Sequence, residues 1–100
     1  MKLHWSPRAV GQAEAAFDFI ADERPQAAAE WLDGLFERVR TLREFPTQGR
    51  RVPEARRDDL RELIYGSYRI VYRVDPEDVI ILLVHHARMP MAADDGEVAE

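Results

Sequence analysis

Three side chains that closely follow the most apolar run of the sequence could perform acid–base and phosphate chemistry. His85, His86 and Arg88 come after VIILLV, at positions 79–84, and Arg69 lies in the preceding apolar stretch YRIVYRV, at positions 68–74. Histidine gains and loses protons near neutral pH, and arginine binds phosphate oxygens through a planar set of N–H donors. Titratable and cationic side chains placed where a buried strand reaches the surface are typical of an active site. The same residues also fit the ordinary solvent-facing end of a strand.

The two histidines are not expected to bind a metal ion. Adjacent residues of a strand point to opposite faces of a sheet, so His85 and His86 cannot easily share one ion. The sequence has no cysteine to complete a zinc site or to form a disulfide. We therefore expect no metal and no cofactor.

The first part of the chain predicts a short strand followed by two helices. KLHW, at positions 2–5, is the strand; Ser6 then offers an N-cap, and Pro7 suits the first helical position. Pro25 begins the second helix, which Phe45-Pro46 ends. Apolar residues recur at three- and four-residue steps along each helix, which predicts one buried face on each. They are Val10, Ala13, Phe17 and Ile20 in the first helix, and Ala28, Leu32, Leu35, Val39 and Leu42 in the second.

The second part of the chain predicts a meander of three antiparallel strands. After a Gly-, Pro- and Arg-containing segment, at positions 47–59, the apolar period changes from 3.6 residues to two in LRELIY, YRIVYRV and VIILLVHHA. Gly66-Ser67 suits a type II′ hairpin turn, and Asp75-Pro76-Glu77-Asp78 supplies the next turn. The last strand is apolar on both faces, so we place it inside the sheet with the N-terminal strand on its free side. The expected fold is α+β, with an antiparallel helical hairpin packed on one face of a four-stranded sheet.

The turns also predict which strand residues face each other. If Val74 lies opposite Val79, then Arg69 faces Val84 and Val71 faces Leu82, while Tyr68 faces His85. The face expected to take the helices carries Leu63, Ile70, Tyr72, Val74, Ile81 and Leu83. The other face carries Glu62, Ile64, Arg69, Val71, Arg73, Ile80, Leu82, Val84, His86 and Arg88. This register brings both arginines of the candidate site to one surface, and it also offers Glu62 as an ion-pair partner for Arg69 and Arg73.

The charge balance argues against general nucleic-acid binding. The net charge is −5, whereas such proteins are usually basic because their affinity comes largely from phosphate neutralisation. Four of the acidic residues lie at positions 91–100, which we expect to form a flexible acidic tail after a single domain at 1–90. We find no signal peptide and no apolar run of membrane-spanning length, so we expect a cytoplasmic protein with no membrane partner.

The order of these elements resembles the RelE/ParE superfamily, the toxins of type II toxin–antitoxin operons. The resemblance covers roughly positions 3–90. It is carried by the opening WSPRAVGQAEAAFDFIADERPQAAAEWLDGL, by LREFPTQGRRV, and above all by GSYRIVYRVDPEDVIILLVHHAR. It implies either a ParE-like inhibitor of DNA gyrase or a RelE-like endonuclease that cleaves mRNA on the ribosome.

For a RelE-like enzyme, the resemblance implies two phosphate-binding arginines, here Arg69 and Arg88, with His86 as a substitute proton-transfer residue. No tyrosine follows the last strand, and Lys2 is the only lysine, so the usual proton-transfer partners of that branch are missing. The ParE-like branch is therefore favoured, with no confident catalytic residue.

A ParE-like protein is expected to contact DNA gyrase and a ParD-like or similar cognate antitoxin, and to meet operator DNA only indirectly through that antitoxin. A disordered antitoxin segment should fold onto apolar grooves of the toxin. The second sheet face, with apolar residues expected to be exposed, and the arginine-rich loop supply the candidate partner-binding residues. They are Arg50, Arg51, Val71, Arg73 and Leu82.

Overall fold

A computed structural model describes residues 1–89, so the expected acidic tail lies outside the described residues. The described chain begins with a strand and two helices and continues into a series of antiparallel strands. Its elements are β1 (Lys2–Trp5), α1 (Pro7–Ala21), α2 (Pro25–Arg40), a 3₁₀ turn (Thr41–Arg43), β2 (Arg50–Arg51), β3 (Leu60–Tyr65), β4 (Tyr68–Val74) and β5 (Asp78–His86).

The strands form one mixed sheet in the order β1-β5-β4-β3-β2. β1 runs parallel to β5, and the other neighbours are antiparallel. The α+β fold, the helical hairpin and the internal position of β5 are confirmed. The sheet has five strands among the described residues rather than the four expected. The added strand is Arg50–Arg51, which pairs with Arg61 and Glu62 within a segment that the sequence presents as a loop.

Local signals in the sequence begin both helices. The Ser6 side chain accepts a hydrogen bond from the Ala9 amide at 3.0 Å, and Pro7 occupies the first turn of α1. Pro25 plays the same part in α2, whose α-helical geometry ends at Arg40 and continues as the 3₁₀ turn. No helix among residues 1–89 is long and apolar enough to cross a membrane.

The buried face of α1 differs from the expected one. The residues of α1 that are fully buried are Ala9, Ala13 and Ala16, whereas Val10 is 42% exposed. The expected stripe of α2 is confirmed, with Ala28, Leu35, Val39 and Leu42 buried. α1 therefore approaches the sheet through small side chains, whereas Phe17 is only partly buried and Phe19 is 76% exposed.

A β-bulge in β5 changes the register between β4 and β5. Tyr72 pairs with Ile81, as the turn at Asp75–Asp78 predicts, but Val71 pairs with Leu83, so Leu82 has no partner on β4. The expected pairs beyond this point, Arg69–Val84, Val71–Leu82 and Tyr68–His85, are therefore wrong. An extra residue moves every later side chain of the strand to the opposite face.

The bulge also redistributes the apolar side chains of β5 between two cores. Val84 belongs to the core beneath the helices, together with Ile70, Tyr72 and Ile81, whereas Leu82 and Leu83 join the core on the other face. The second core is closed by Val52 and Leu60, with Ala55 packed against it. The segment that precedes β3 therefore covers the sheet face opposite the helices.

Candidate functional site

Arg69 lies in β4 on the sheet face opposite the helices, and its guanidinium is enclosed by carboxylates. Its Nε donates to Glu62 at 2.6 Å, and its two terminal nitrogens donate to the two carboxylate oxygens of Glu54 at 2.8 Å each. Only 9% of the residue is exposed. The expected pairing with Glu62 is confirmed, and Glu54 adds a bidentate contact that the sequence pattern does not indicate.

The neighbours of Arg69 tie three strands and a loop together. Glu62, from β3, is fully buried and also accepts a hydrogen bond from Nε of Arg50 in β2. Glu54 comes from the segment between β2 and β3. We call Arg50, Glu54, Glu62 and Arg69 the ion-pair cluster. Because burying a charge is costly unless it is paired, the cluster needs all its members in place.

The cluster favours the charged forms of Glu54 and Arg69. The hydrogen bonds from Arg69 lower the pKa of Glu54 from 4.5 to about 2, against a smaller opposing effect of burial. The hydrogen bonds that Arg69 donates to Glu54, and then those that it donates to Glu62, raise the pKa of Arg69 above its already high value. Two carboxylates therefore neutralise the guanidinium and occupy the N–H groups that a phosphate would need.

The bulge separates the residues expected to act with Arg69. His86 pairs with Tyr68 and contacts its ring edge-on at a centroid distance of 5.1 Å, on the helix side of the sheet. His85, rather than His86, lies opposite Arg69, and its Nε2 is 2.7 Å from the carbonyl oxygen of Met89. The expected common face for Arg69 and His86 is wrong.

Arg88 does not extend the strand pattern either. β5 ends at His86, and Arg88 lies in the exposed turn that follows, where its backbone N–H donates to Nδ1 of His86 at 3.1 Å. Strand alternation therefore does not place its side chain beside Arg69. The structure does not assemble the three nuclease candidates into one surface.

The residues expected to bind partners on the second sheet face are mostly engaged within the protein. Val71 and Leu82 are buried beneath the 52–60 segment, so the expectation that they are exposed is wrong. Arg51 pairs with Asp58 at 2.8 Å, and both side chains are well exposed. Arg73 donates to Asp75 at 2.9 and 3.1 Å, so its partner is a near neighbour rather than Glu62.

A long apolar groove runs between α1 and α2. We call it the helical groove; its volume is about 770 Å³, and it is lined by Trp5, Val10, Ala13, Phe17, Leu32 and Phe36, with Glu14 and Asp18 on its rim. Phe36 is 43% exposed and packs edge-on against Trp5 at a centroid distance of 5.6 Å. An open apolar surface of this kind is a candidate binding surface for another molecule.

The apolar periodicity of α1 includes two residues that line the helical groove, Val10 and Phe17, but it predicts that they pack in the core. A periodicity of apolar residues cannot tell a face buried in the core from one left open for a partner. The alanines of α1 already pack against the sheet, so α1 has more apolar residues than this contact needs. That surplus distinguishes the open groove from a face buried in the core.

Among the described residues, no group of three or more His, Asp or Glu side chains is placed to hold a metal ion.

Comparisons with known proteins agree with the fold. A family model described as the ParE toxin of type II toxin–antitoxin system, parDE, matches residues 3–91. A curated relative from Sinorhizobium fredii (strain NBRC 101917 / NGR234), described as "Putative toxin Y4kP", is 33% identical over 88 residues and is matched over 86% of this chain and 88% of its own length. A solved structure titled "Chromosomal ParDE TA system from P. aeruginosa" aligns with a TM-score of 0.75 at 22% identity, over 88% of this chain and 97% of that one. This last likeness concerns the fold.

Proposed function

The chain belongs to the ParE family of toxins from type II toxin–antitoxin systems, and from that premise we propose that it inhibits DNA gyrase by protein–protein contact. A cognate antitoxin neutralises it, and both proteins act in the cytoplasm, where gyrase is found.

The state of Arg69 supports this proposal over RNA cleavage. Metal-independent cleavage needs cations on the phosphate and a positioned acid and base. Here Glu54 and Glu62 take the donors of Arg69, and the bulge carries His86 to the other face. A phosphate would have to displace the bidentate Glu54 carboxylate and would then lie close to the buried Glu62 carboxylate, which repels it. A contact inhibitor has no such requirement.

The helical groove is the surface that we assign to the antitoxin. Its floor is apolar and its rim carries Glu14 and Asp18, so it fits an amphipathic helix with an apolar face flanked by lysine or arginine. A disordered antitoxin segment would fold as it binds, which makes the interaction specific to a sequence that can form that helix.

Gyrase supercoiling of relaxed plasmid DNA tests the function directly. We expect the purified protein to abolish supercoiling at a near-stoichiometric ratio to gyrase, and the antitoxin encoded beside it to restore supercoiling. Translating ribosomes loaded with a defined mRNA provide the parallel assay, in which the message should remain intact.

Three outcomes would contradict the proposal. One is normal supercoiling at high excess of the folded protein. Another is message cleavage that disappears in both His86→Ala and Arg88→Ala, which would support a RelE-like enzyme instead. Normal growth when the gene is induced without its neighbour would show that the chain is a non-toxic member of the family.

A further inference from the structure

A second cleft lies beside β1, at the open edge of the sheet. It has a volume of about 520 Å³, and its walls include Val39 and three cationic side chains, Lys2, Arg40 and Arg43. We call it the strand cleft. It shares Trp5 and Phe36 with the helical groove, so the two clefts adjoin each other at this aromatic pair.

β1 presents unpaired backbone groups to this cleft. The Lys2 and Ser6 amides donate to Glu77 and Ile81, so these alternate residues direct their amides toward β5. Leu3 and Trp5 alternate with these residues, so their N–H and C=O groups point to the side of β1 away from β5. β1 is the outermost strand of the described sheet, so that side has no strand partner there. An extended peptide can add to such an edge through main-chain hydrogen bonds.

The helical groove and the strand cleft carry opposite charge. Glu14 and Asp18 rim the helical groove, whereas Lys2, Arg40 and Arg43 line the strand cleft. No carboxylate is among the described residues that line the strand cleft, and two carboxylates near it already have partners: Glu37 pairs with Arg40 at 3.0 Å, and Asp78 pairs with His4 at 2.9 Å. The lining of the strand cleft is therefore positively charged.

We propose that the strand cleft binds an extended, acidic segment of the antitoxin, continuous with the basic-rimmed helix that occupies the helical groove. This inference rests on the proposed function of the groove. It specifies how charge is distributed along the partner. Lysine or arginine flanks the apolar face of the helix, and aspartate or glutamate alternates with apolar residues in the extended segment.

The acidic residues at positions 91–100 are a poorer occupant. Asp94 and Asp95 lie five and six residues beyond Met89, so they reach about 20 Å from it at most. β5 extends eight residues, or about 26 Å, from His86 back to Asp78, which pairs with Lys2. Only Glu97 and Glu100 come within reach of the cleft, so we assign it to a separate chain.

Synthetic peptides test the inference on the full chain. The first probe is an amphipathic helical peptide with a leucine face and lysine flanks. The second carries, in addition, an extension in which valine alternates with glutamate, and the third has lysine in place of each of these glutamates. We expect the glutamate extension to lower the Kd about tenfold or more relative to the helical peptide, and the lysine extension to give no gain.

Charge-reversal variants locate the effect. Arg40→Glu/Arg43→Glu should abolish the gain from the glutamate extension and should favour the lysine extension. Arg38→Glu is the control, because Arg38 lies on α2 but does not line the cleft, and the single variants Arg40→Glu and Arg43→Glu match its change of charge. On binding of the second probe, the amides of Leu3 and Trp5 should become protected from hydrogen exchange by tenfold or more, whereas the His4 amide should not change.

Each other outcome has a distinct meaning. If the helical peptide binds but the extension adds nothing, or leaves Leu3 and Trp5 exchanging freely, the inference is wrong and the groove assignment stands. If the helical peptide does not bind, the groove assignment itself fails. Tighter binding of the second probe by a chain ending at Pro90 would make the acidic segment the occupant. A free chain that is a dimer and that dissociates when the probe binds would make a second copy the occupant, and either result would overturn the inference.

Discussion

At the scale of single residues, the ion-pair cluster is the feature that bears most directly on function. An arginine in β4 can hold a substrate phosphate only if its donors are available, and in this chain two carboxylates take them. Arg69 is therefore a structural residue, and replacing it should change the free energy of unfolding rather than a catalytic rate.

Replacing Arg69 with alanine should lower the free energy of unfolding by about 3 kcal/mol. The buried Glu62 would retain only Arg50, and removing one partner of a buried ion pair typically costs about 3–5 kcal/mol. Urea denaturation measures the change. Arg51→Ala is the matched control and should cost no more than about 0.5 kcal/mol, because the pair with Asp58 is exposed. Equal effects in the two variants would contradict the structural role of the cluster.

The depressed pKa of Glu54 predicts acid sensitivity with a defined sign. The folded-state pKa is about 2, below the ordinary value of 4.5, so the folded state binds this proton less readily than the unfolded state does. The contribution of Glu54 to stability is therefore present above pH 4.5 and lost as the pH falls toward 2. The unfolding free energy of Glu54→Gln, measured against pH, should converge with that of the parent chain over this range. Parallel curves over this range would show that Glu54 has no special role.

At the scale of elements, the sequence was sufficient for the order of strands and helices but not for every side-chain direction. The turns at Gly66-Ser67 and Asp75–Asp78 determined the hairpins, and Gly66 has the positive φ, 57°, that its turn requires. The bulge at Leu82 could not be predicted, because VIILLV is apolar at every position and no polar residue marks a change of face. The pairing of Glu54 with Arg69 joins a loop to a distant strand, and no local pattern encodes it.

Two glycines should respond oppositely to alanine. Gly11 lies inside α1 and a Cβ there meets no neighbour, so Gly11→Ala should stabilise the chain by about 0.5–1 kcal/mol. A Cβ at Gly34 would overlap the Tyr65 hydroxyl, which donates to the Trp31 carbonyl at 2.8 Å. Gly34→Ala should therefore destabilise by about 1–2 kcal/mol, despite its better helix propensity. Thermal unfolding of the two variants measures both signs, and a gain at Gly34 would show that Tyr65 moves without cost.

The helical groove can be tested with a pair of identical substitutions. Phe36 lines the groove, and Phe19 is exposed on α1 outside it. Phe36→Ser should weaken antitoxin binding by about tenfold or more, since a central aromatic side chain typically contributes over 1 kcal/mol to an interface. Phe19→Ser should leave binding within about twofold of the parent. Titration calorimetry with the cognate antitoxin separates the two, and equal losses would place the binding surface elsewhere.

At the scale of the whole molecule, charge is segregated rather than simply negative. Glu14 and Asp18 of the helical hairpin line the groove, and three cations, Lys2, Arg40 and Arg43, line the strand cleft. In the proposed binding mode, an approaching antitoxin meets two fields of opposite sign, which orient it before contact.

This arrangement predicts a salt-dependent association rate. Raising the ionic strength from about 0.05 M to about 0.5 M should slow antitoxin association several-fold, because screening shortens the range of both fields. Stopped-flow fluorescence measures the rate. A Glu14→Gln/Asp18→Asn variant should show a shallower dependence, whereas Glu30→Gln/Asp33→Asn, with the same loss of charge away from the groove lining, should resemble the parent. An unchanged slope in the first variant would mean that the groove rim does not steer the partner.

The parallel pairing of β1 with β5 has a consequence for synthesis. Lys2–Trp5 find their partners only at Asp78–Ile81, so β1 stays unmatched until β5 has been synthesised. A nascent chain interrupted anywhere before β5 lacks the strand that joins β1 to β4 and against which α1 packs. Aborted translation of the gene should therefore yield inactive fragments that are degraded, and only a chain that includes β5 should fold.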